Sequence, residues 1–131
     1  MSEKNTKTAA MVATRKISFV DGLASIKEAI LQMQQEQTNF LVVNKRDEHD
    51  AYAIITATDI IQKVIVQDLK PSEVSVYEVM NKPVIVIPGN LNARYVPRLM
   101  QKCGLRYAPV ANGDHLIGAI GPEEILQNAI L

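Results

Sequence analysis

Two short stretches of the chain carry residue types that could do chemistry. Thr56-Ala57-Thr58-Asp59 follows the apolar run Ala53-Ile54-Ile55 and precedes Ile60 and Ile61, so it reads as a strand end that opens a helix. Side-chain oxygens at that point suit the hydroxyl groups of a ligand, and the free amides of a helix start favour an anion. The same residues also spell a capping box, a Thr with an acidic residue three positions on, which satisfies those amides without any ligand. Both readings stand at this stage. Arg106 comes just before the apolar strand Tyr107-Ala108-Pro109-Val110, where its guanidinium fork suits a phosphate. A solvated arginine at a strand edge is the plainer alternative. Pro109 lacks an amide donor and offers a flat apolar face, or is simply an edge-strand proline.

Other chemistry falls away. His49 and His115 lie in polar turns with no Cys or second His at ligand spacing, so no metal site is expected. Cys103 is the single cysteine and sits among apolar neighbours, where it reads as packing. There is no Gly-x-Ser-x-Gly elbow, His-Glu-x-x-His or phosphate-binding Walker loop, and Ser18 and Ser25 have no recognisable base. No enzyme is expected. Fourteen Lys and Arg balance fourteen Asp and Glu, so there is no basic excess to displace the counterions of a nucleic acid. No uncharged apolar stretch approaches the roughly 20 residues of a membrane-spanning helix. The opening residues 1–8 are polar, so the reading is a cytoplasmic protein with no membrane or nucleic-acid partner.

The elements that must position these residues occur twice. Ile17 to Gly22, Ser25 to Gln34 and Asn39 to Val43 align without a gap on Val84 to Gly89, Asn92 to Gln101 and Arg106 to Val110. After a longer charged turn in the first copy, Tyr52 to Gln62 falls on Ile117 to Gln127. Each copy reads as a strand, a helix, two strands joined by a polar turn, and a second helix. Ser25 and Glu28 have capping-box spacing at the first helix, and Ile60, Ile61, Val64, Ile65 and Ile125, Leu126, Ala129, Ile130 form apolar faces on the second helices. The fold class is α/β, layered in the α+β manner, with each copy a small sheet packed with two helices. A copy of this size buries too little surface to be comfortable alone, so the two are expected to share a core about a pseudo-two-fold axis. The expected divisions are a polar tail at 1–12, the first repeat at 13–69, and a linker with the second repeat at 70–131. Pro97 lies within the second copy's first helix, where a kink or a shortened first turn near Val96 is expected.

This order of patterns resembles a tandem pair of cystathionine-β-synthase (CBS) domains, a Bateman module, here standing alone. The likeness is carried by Val76-Tyr77-Glu78-Val79-Met80-Asn81-Lys82-Pro83-Val84-Ile85-Val86-Ile87-Pro88, by Leu105-Arg106-Tyr107-Ala108-Pro109-Val110, and by Ala53-Ile54-Ile55-Thr56-Ala57-Thr58-Asp59-Ile60. The resemblance implies a regulatory module that senses an adenosine-containing ligand: AMP, ADP, ATP, S-adenosylmethionine or NAD, with no obligatory cofactor.

It implies, too, that Asp59 holds ribose hydroxyls, Thr56 contacts sugar or phosphate, Arg106 reaches the phosphate, Ala108 and Pro109 line the adenine, and Val84 and Ile85 supply the adjoining first strand. All of these fall in one cleft between the repeats. The opposite cleft would have Gly121 and Glu124 in place of Thr and Asp, and Asn39, Phe40 and Val42 in place of the basic residue and proline, so one working site per chain is expected. The family's helices pair with a second module, which implies a homodimer through the repeat helices, together with an unidentified regulated protein. The alternative is a ligand-free scaffold, a dimer that docks another protein while Thr56 and Asp59 only cap a helix.

Overall fold

The computed structural model describes residues 7–82 and 85–129. Its contacts divide the chain into two compact units, one of residues 18–84 and one of residues 1–17 with 85–131.

In the 18–84 unit, strand β1 (Phe19–Val20) runs into helix α2 (Ile26–Glu36), followed by β2 (Phe40–Val43), β3 (Ala53–Thr56) and α3 (Ala57–Ile60), which continues as a π-helical turn at Ile61–Ile65. The strands form a sheet in the order β1-β2-β3, parallel between β1 and β2 and antiparallel between β2 and β3, with Phe40 opposite Thr56. Helix α2 starts where Ser25 Oγ accepts the Glu28 amide, and ends where Gln37 turns left-handed and Thr38 N–H closes on the Met33 carbonyl. Its buried residues Ile26, Ala29 and Met33 pack with Leu41, Val43 and Ile55 of the sheet and with Ile60 and Val64. Those two belong to the expected apolar face of the second helix; its other half, Ile61 and Ile65, is exposed.

The second unit repeats the plan. Strand β4 (Ile87–Pro88) pairs in parallel with β5 (Ala108–Asn112), and β5 pairs antiparallel with β6 (His115–Ile120), before α5 (Pro122–Gln127). Helix α4 (Val96–Lys102) follows a 3-10 turn at Ala93–Tyr95, so Pro97 sits in the first turn, where its missing amide costs nothing. The shortened start expected at Val96 is therefore what the chain does, and α4 has seven residues against eleven in α2. Ile87, Val96, Met100, Ala108, Val110 and Ile120 form an apolar cluster within this unit, as the residues named above do within the first. Among the expected residues, Val84 and Ile130 lie outside those described.

The divisions expected at 12 and 70 are not those the contacts draw. Helix α1 (Ala9–Val12) falls in the expected tail, yet Ala9 is fully buried in the core of the unit that holds β4, β5 and β6. Ala9 N–H donates to Leu91 O, Ala10 N–H to Gly89 O and Thr14 N–H to Ala119 O. The linker does the same for the other unit: Val76 N–H donates to Ala24 O, Tyr77 N–H to Gly22 O and Asn81 N–H to Ile54 O. These bonds correspond one for one in the repeat alignment. Each repeat's leading segment thus completes the unit built on the other repeat's strands.

Candidate functional site

Thr56 ends β3 and caps α3, and its side chain is buried against Asp59. Its Oγ1 accepts the Asp59 amide at 3.2 Å and donates to Asp59 Oδ2 at 2.8 Å, while the Thr56 amide donates to the same oxygen at 3.1 Å. Asn81 Nδ2 donates to Asp59 Oδ2 at 2.7 Å. Three donors therefore converge on one carboxylate oxygen, and the bonds described leave Oδ1 to accept from something else. The capping box is complete without a ligand, and it fixes the plane of a half-buried carboxylate. Asn81 escaped the sequence reading. Its place in the leading segment, opposite Thr14 in the repeat alignment, was the available signal, since both are polar residues closing an apolar run.

The equivalent corner of the second repeat is built differently. Gly121 has no oxygen to cap α5, so only the Glu124 half of the box exists, Gly121 N–H donating to Glu124 Oε1 at 2.8 Å. A Cβ at Gly121 would fall on ring carbons Cδ2 and Cε2 of Tyr107, the residue beside Arg106 on the approach to β5. The space that the Thr56 side chain takes in the first repeat is filled by an aromatic ring in the second.

Ile85, Arg106, Ala108 and Pro109 belong to this second unit. Arg106 is exposed and lines a groove of about 410 Å³ with Met100, Leu105, Ile125 and Leu126. Pro109 is fully buried opposite Ala119 on β6, and Ile85 is exposed. Ala108 is fully buried in the unit's core beside Ile87 and Val96. Successive strand residues face opposite ways, so Ala108 and Pro109 cannot both turn their side chains to one ligand, and Ala108's methyl is committed to the core. The structure brings Thr56, Asp59 and Asn81 into contact.

A second polar cluster of the 18–84 unit lies at the β2–β3 turn. Asp50 accepts from the Arg46 amide at 2.9 Å, from Arg46 Nε at 3.2 Å, and from Lys82 Nζ. The Lys82 ammonium first, then the Arg46 amide, hold the Asp50 carboxyl well below the usual carboxylate range. This ties the turn to the end of the linker. Among the described residues no three His, Cys, Asp or Glu side chains gather as metal ligands, and no helix is long and apolar enough to cross a membrane.

A family model for the CBS domain matches residues 9–66 and again 76–130. The chain belongs to the CBS domain family. Pairs of CBS domains are commonly regulatory and ligand-binding, and typically not catalytic. The chain is 34% identical to a hexameric CBS-CP12 protein from bloom-forming cyanobacteria, with a TM-score of 0.91 over 95% of this chain and 68% of that one. An uncharacterized conserved protein from Pyrococcus horikoshii has the same fold at 22% identity, with a TM-score of 0.81 over 95% of each chain. Among curated proteins, the chain is 33% identical over 88 residues to an uncharacterized protein of Methanopyrus kandleri, covering 66% of this chain and 44% of that one. It is 29% identical over 110 residues to the mitochondrial CBS domain-containing protein CBSX3 of Arabidopsis thaliana, covering 81% of this chain and 53% of that one. The chain thus spans about half the length of these curated relatives.

Proposed function

We propose that this CBS pair is a regulatory module that senses an adenosine-containing nucleotide with the Thr56-Asp59 corner and reports it through a homodimer or a partner protein. The observation that carries the reading is the fixed Asp59 carboxylate. Three protein donors orient it through Oδ2, and its second oxygen is left to accept from the hydroxyls of a ribose. Thr56 and Asp59 serve the sugar and Arg106 the phosphate, with Ile85 supplying apolar surface. The Tyr107 ring over Gly121 supports one such site per chain. The hexameric state of the CBS-CP12 relative supports an oligomer.

One observation favours a second reading, a ligand-free interaction scaffold. The capping box satisfies Thr56 and the Asp59 amide by itself, as a purely structural motif would. A thermal-shift panel of AMP, ADP, ATP, NAD and S-adenosylmethionine on wild type, Asp59→Ala and Arg106→Ala separates the two. A nucleotide at a hundred times its dissociation constant stabilises the native state by about 2.7 kcal/mol, a shift of several degrees at this chain length. The sensor reading expects such a shift with one ligand, abolished in Asp59→Ala and reduced in Arg106→Ala. No shift with any of them on folded, ligand-free protein leaves the scaffold.

A further inference from the structure

The end of the linker is held to the 18–84 unit in two different ways. Val76 and Val79 are buried in that unit's core, and Met80 packs against it half-buried. Asn81 and Lys82, the next residues, are exposed, yet each is tied down by polar bonds. Asn81 pairs with Ile54 through both backbone groups, its N–H donating at 2.8 Å and its carbonyl accepting at 3.3 Å, in an isolated bridge on the outer edge of β3.

Three side chains from three elements close on the same short segment. Asp59 at the start of α3 accepts from Asn81 Nδ2 at 2.7 Å, Lys63 in the π-helical turn donates to the Val79 carbonyl at 3.1 Å, and Asp50 before β3 accepts from Lys82 Nζ. The corresponding segment of the second unit is held otherwise. Thr14, which aligns with Asn81, makes the same paired backbone bridge, to Ala119. Its hydroxyl, however, accepts the Lys16 amide at 3.2 Å, and Glu124, at the Asp59 position, accepts from the Gly121 amide. Among the described residues, a side-chain bond from a leading segment to the capping acid occurs only at Asp59.

We propose that residues 80–82 form a strap that opens while the rest of the 18–84 unit stays folded, hinged at the buried Val79 and latched by Asp59. An exposed bridge with two backbone bonds opens at a fraction of the cost of unfolding the unit, and the buried valines keep the opening from spreading. The strap leads toward the second unit, which the chain enters again at residue 85. One consequence rests on the sensor reading. A ribose taken by Asp59 Oδ1 fixes the carboxylate in the plane that holds Asn81 on Oδ2, so the nucleotide favours the closed strap and the closed strap favours the nucleotide by the same factor.

Amide hydrogen exchange, followed by NMR in ligand-free protein over a series of low urea concentrations, is the test. The Asn81 N–H, bonded to Ile54 O, reports the strap, and the Val42 N–H, bonded to Ser18 O at 2.9 Å, reports the sheet of the same unit. The expected wild-type result is an Asn81 amide that exchanges more than about tenfold faster than that of Val42 at a rate independent of urea, while the Val42 rate climbs with urea. Asp59→Ala and Asn81→Ala, the second of which spares the capping box, are each expected to raise the rate at residue 81 about fivefold after correction for the changed sequence, the net worth of one hydrogen bond. Residues 81 and 42 exchanging together with one urea dependence overturn the proposal, because the linker then opens only when the unit unfolds. A rate at residue 81 that Asn81→Ala leaves unchanged overturns it as well. The thermal panel of AMP, ADP, ATP, NAD and S-adenosylmethionine reports binding separately. A nucleotide that binds and slows exchange at Asn81 supports the latch, and one that binds without slowing it overturns the link to Asp59. A panel with no binding removes the sensor reading and leaves the strap to be decided by the urea series.

Discussion

Asn81 and Thr56, from a linker and a strand end, bond to the same oxygen of Asp59. The carboxylate thereby becomes a rigid acceptor with one oxygen spoken for. Replacing Asn81 by Ala is expected to cost about 1 kcal/mol, the usual net worth of one such hydrogen bond. It is also expected to weaken the nucleotide-induced shift, because Asp59 gains freedom. Urea unfolding measures the first effect and a nucleotide titration the second; an unchanged titration would place Asn81 in the structure alone.

Thr56→Val removes the hydroxyl at the centre of the capping box while keeping the side chain's shape. It leaves the Asp59 amide without its cap, a loss of about 1–2 kcal/mol by equilibrium unfolding. Thr56→Ser keeps the hydroxyl and is expected to recover most of that stability.

Tyr107 and Gly121 form a size-matched pair. Gly121→Ala sets a methyl where the Tyr107 ring lies, with an expected cost of about 1–3 kcal/mol from overpacking. Tyr107→Ala costs stability through lost burial, but the double variant is expected to be more stable than the sum of the two losses predicts. A double-mutant cycle by chemical denaturation measures that coupling.

Asp50 gives a pH dependence of known sign. Its carboxyl titrates lower in the folded chain than at the ordinary value of 3.8, chiefly through Lys82. A depressed folded value means the stabilisation is present above pH 3.8 and lost as pH falls through the folded value. Lys82→Ala is expected to move the Asp50 carboxyl back toward 3.8 in an NMR titration, and to make unfolding begin at a higher pH during acidification.

The repeat, the order of strands and helices, and the Thr56-Asp59 cap were legible because each follows from local spacing that a single pass along the chain can detect. Other features were not, for identifiable reasons. Helix α1 has only four residues, too few for a helical period to show, so Ala9 read as tail although it is core. The bond from Asn81 to Asp59 spans 22 residues and depends on where the linker docks. The Tyr107–Gly121 pair depends on strand register, because only the pairing of Ala108 with Ile120 brings the two together. Ala108 and Pro109 were assigned to one ligand from a linear motif, and the alternation of strand side chains separates them.

The exchange of leading segments sets an order of assembly during synthesis. Every backbone partner of β1, β2 and β3 named above lies within residues 18–84, one continuous stretch that can close once the ribosome has released it. Helix α1 leaves the ribosome earlier still, but Ala9 must wait for Leu91 and Thr14 for Ala119. Helix α1 is thus made before the strands of both units described, yet it finds its place only after the 18–84 unit can already have closed.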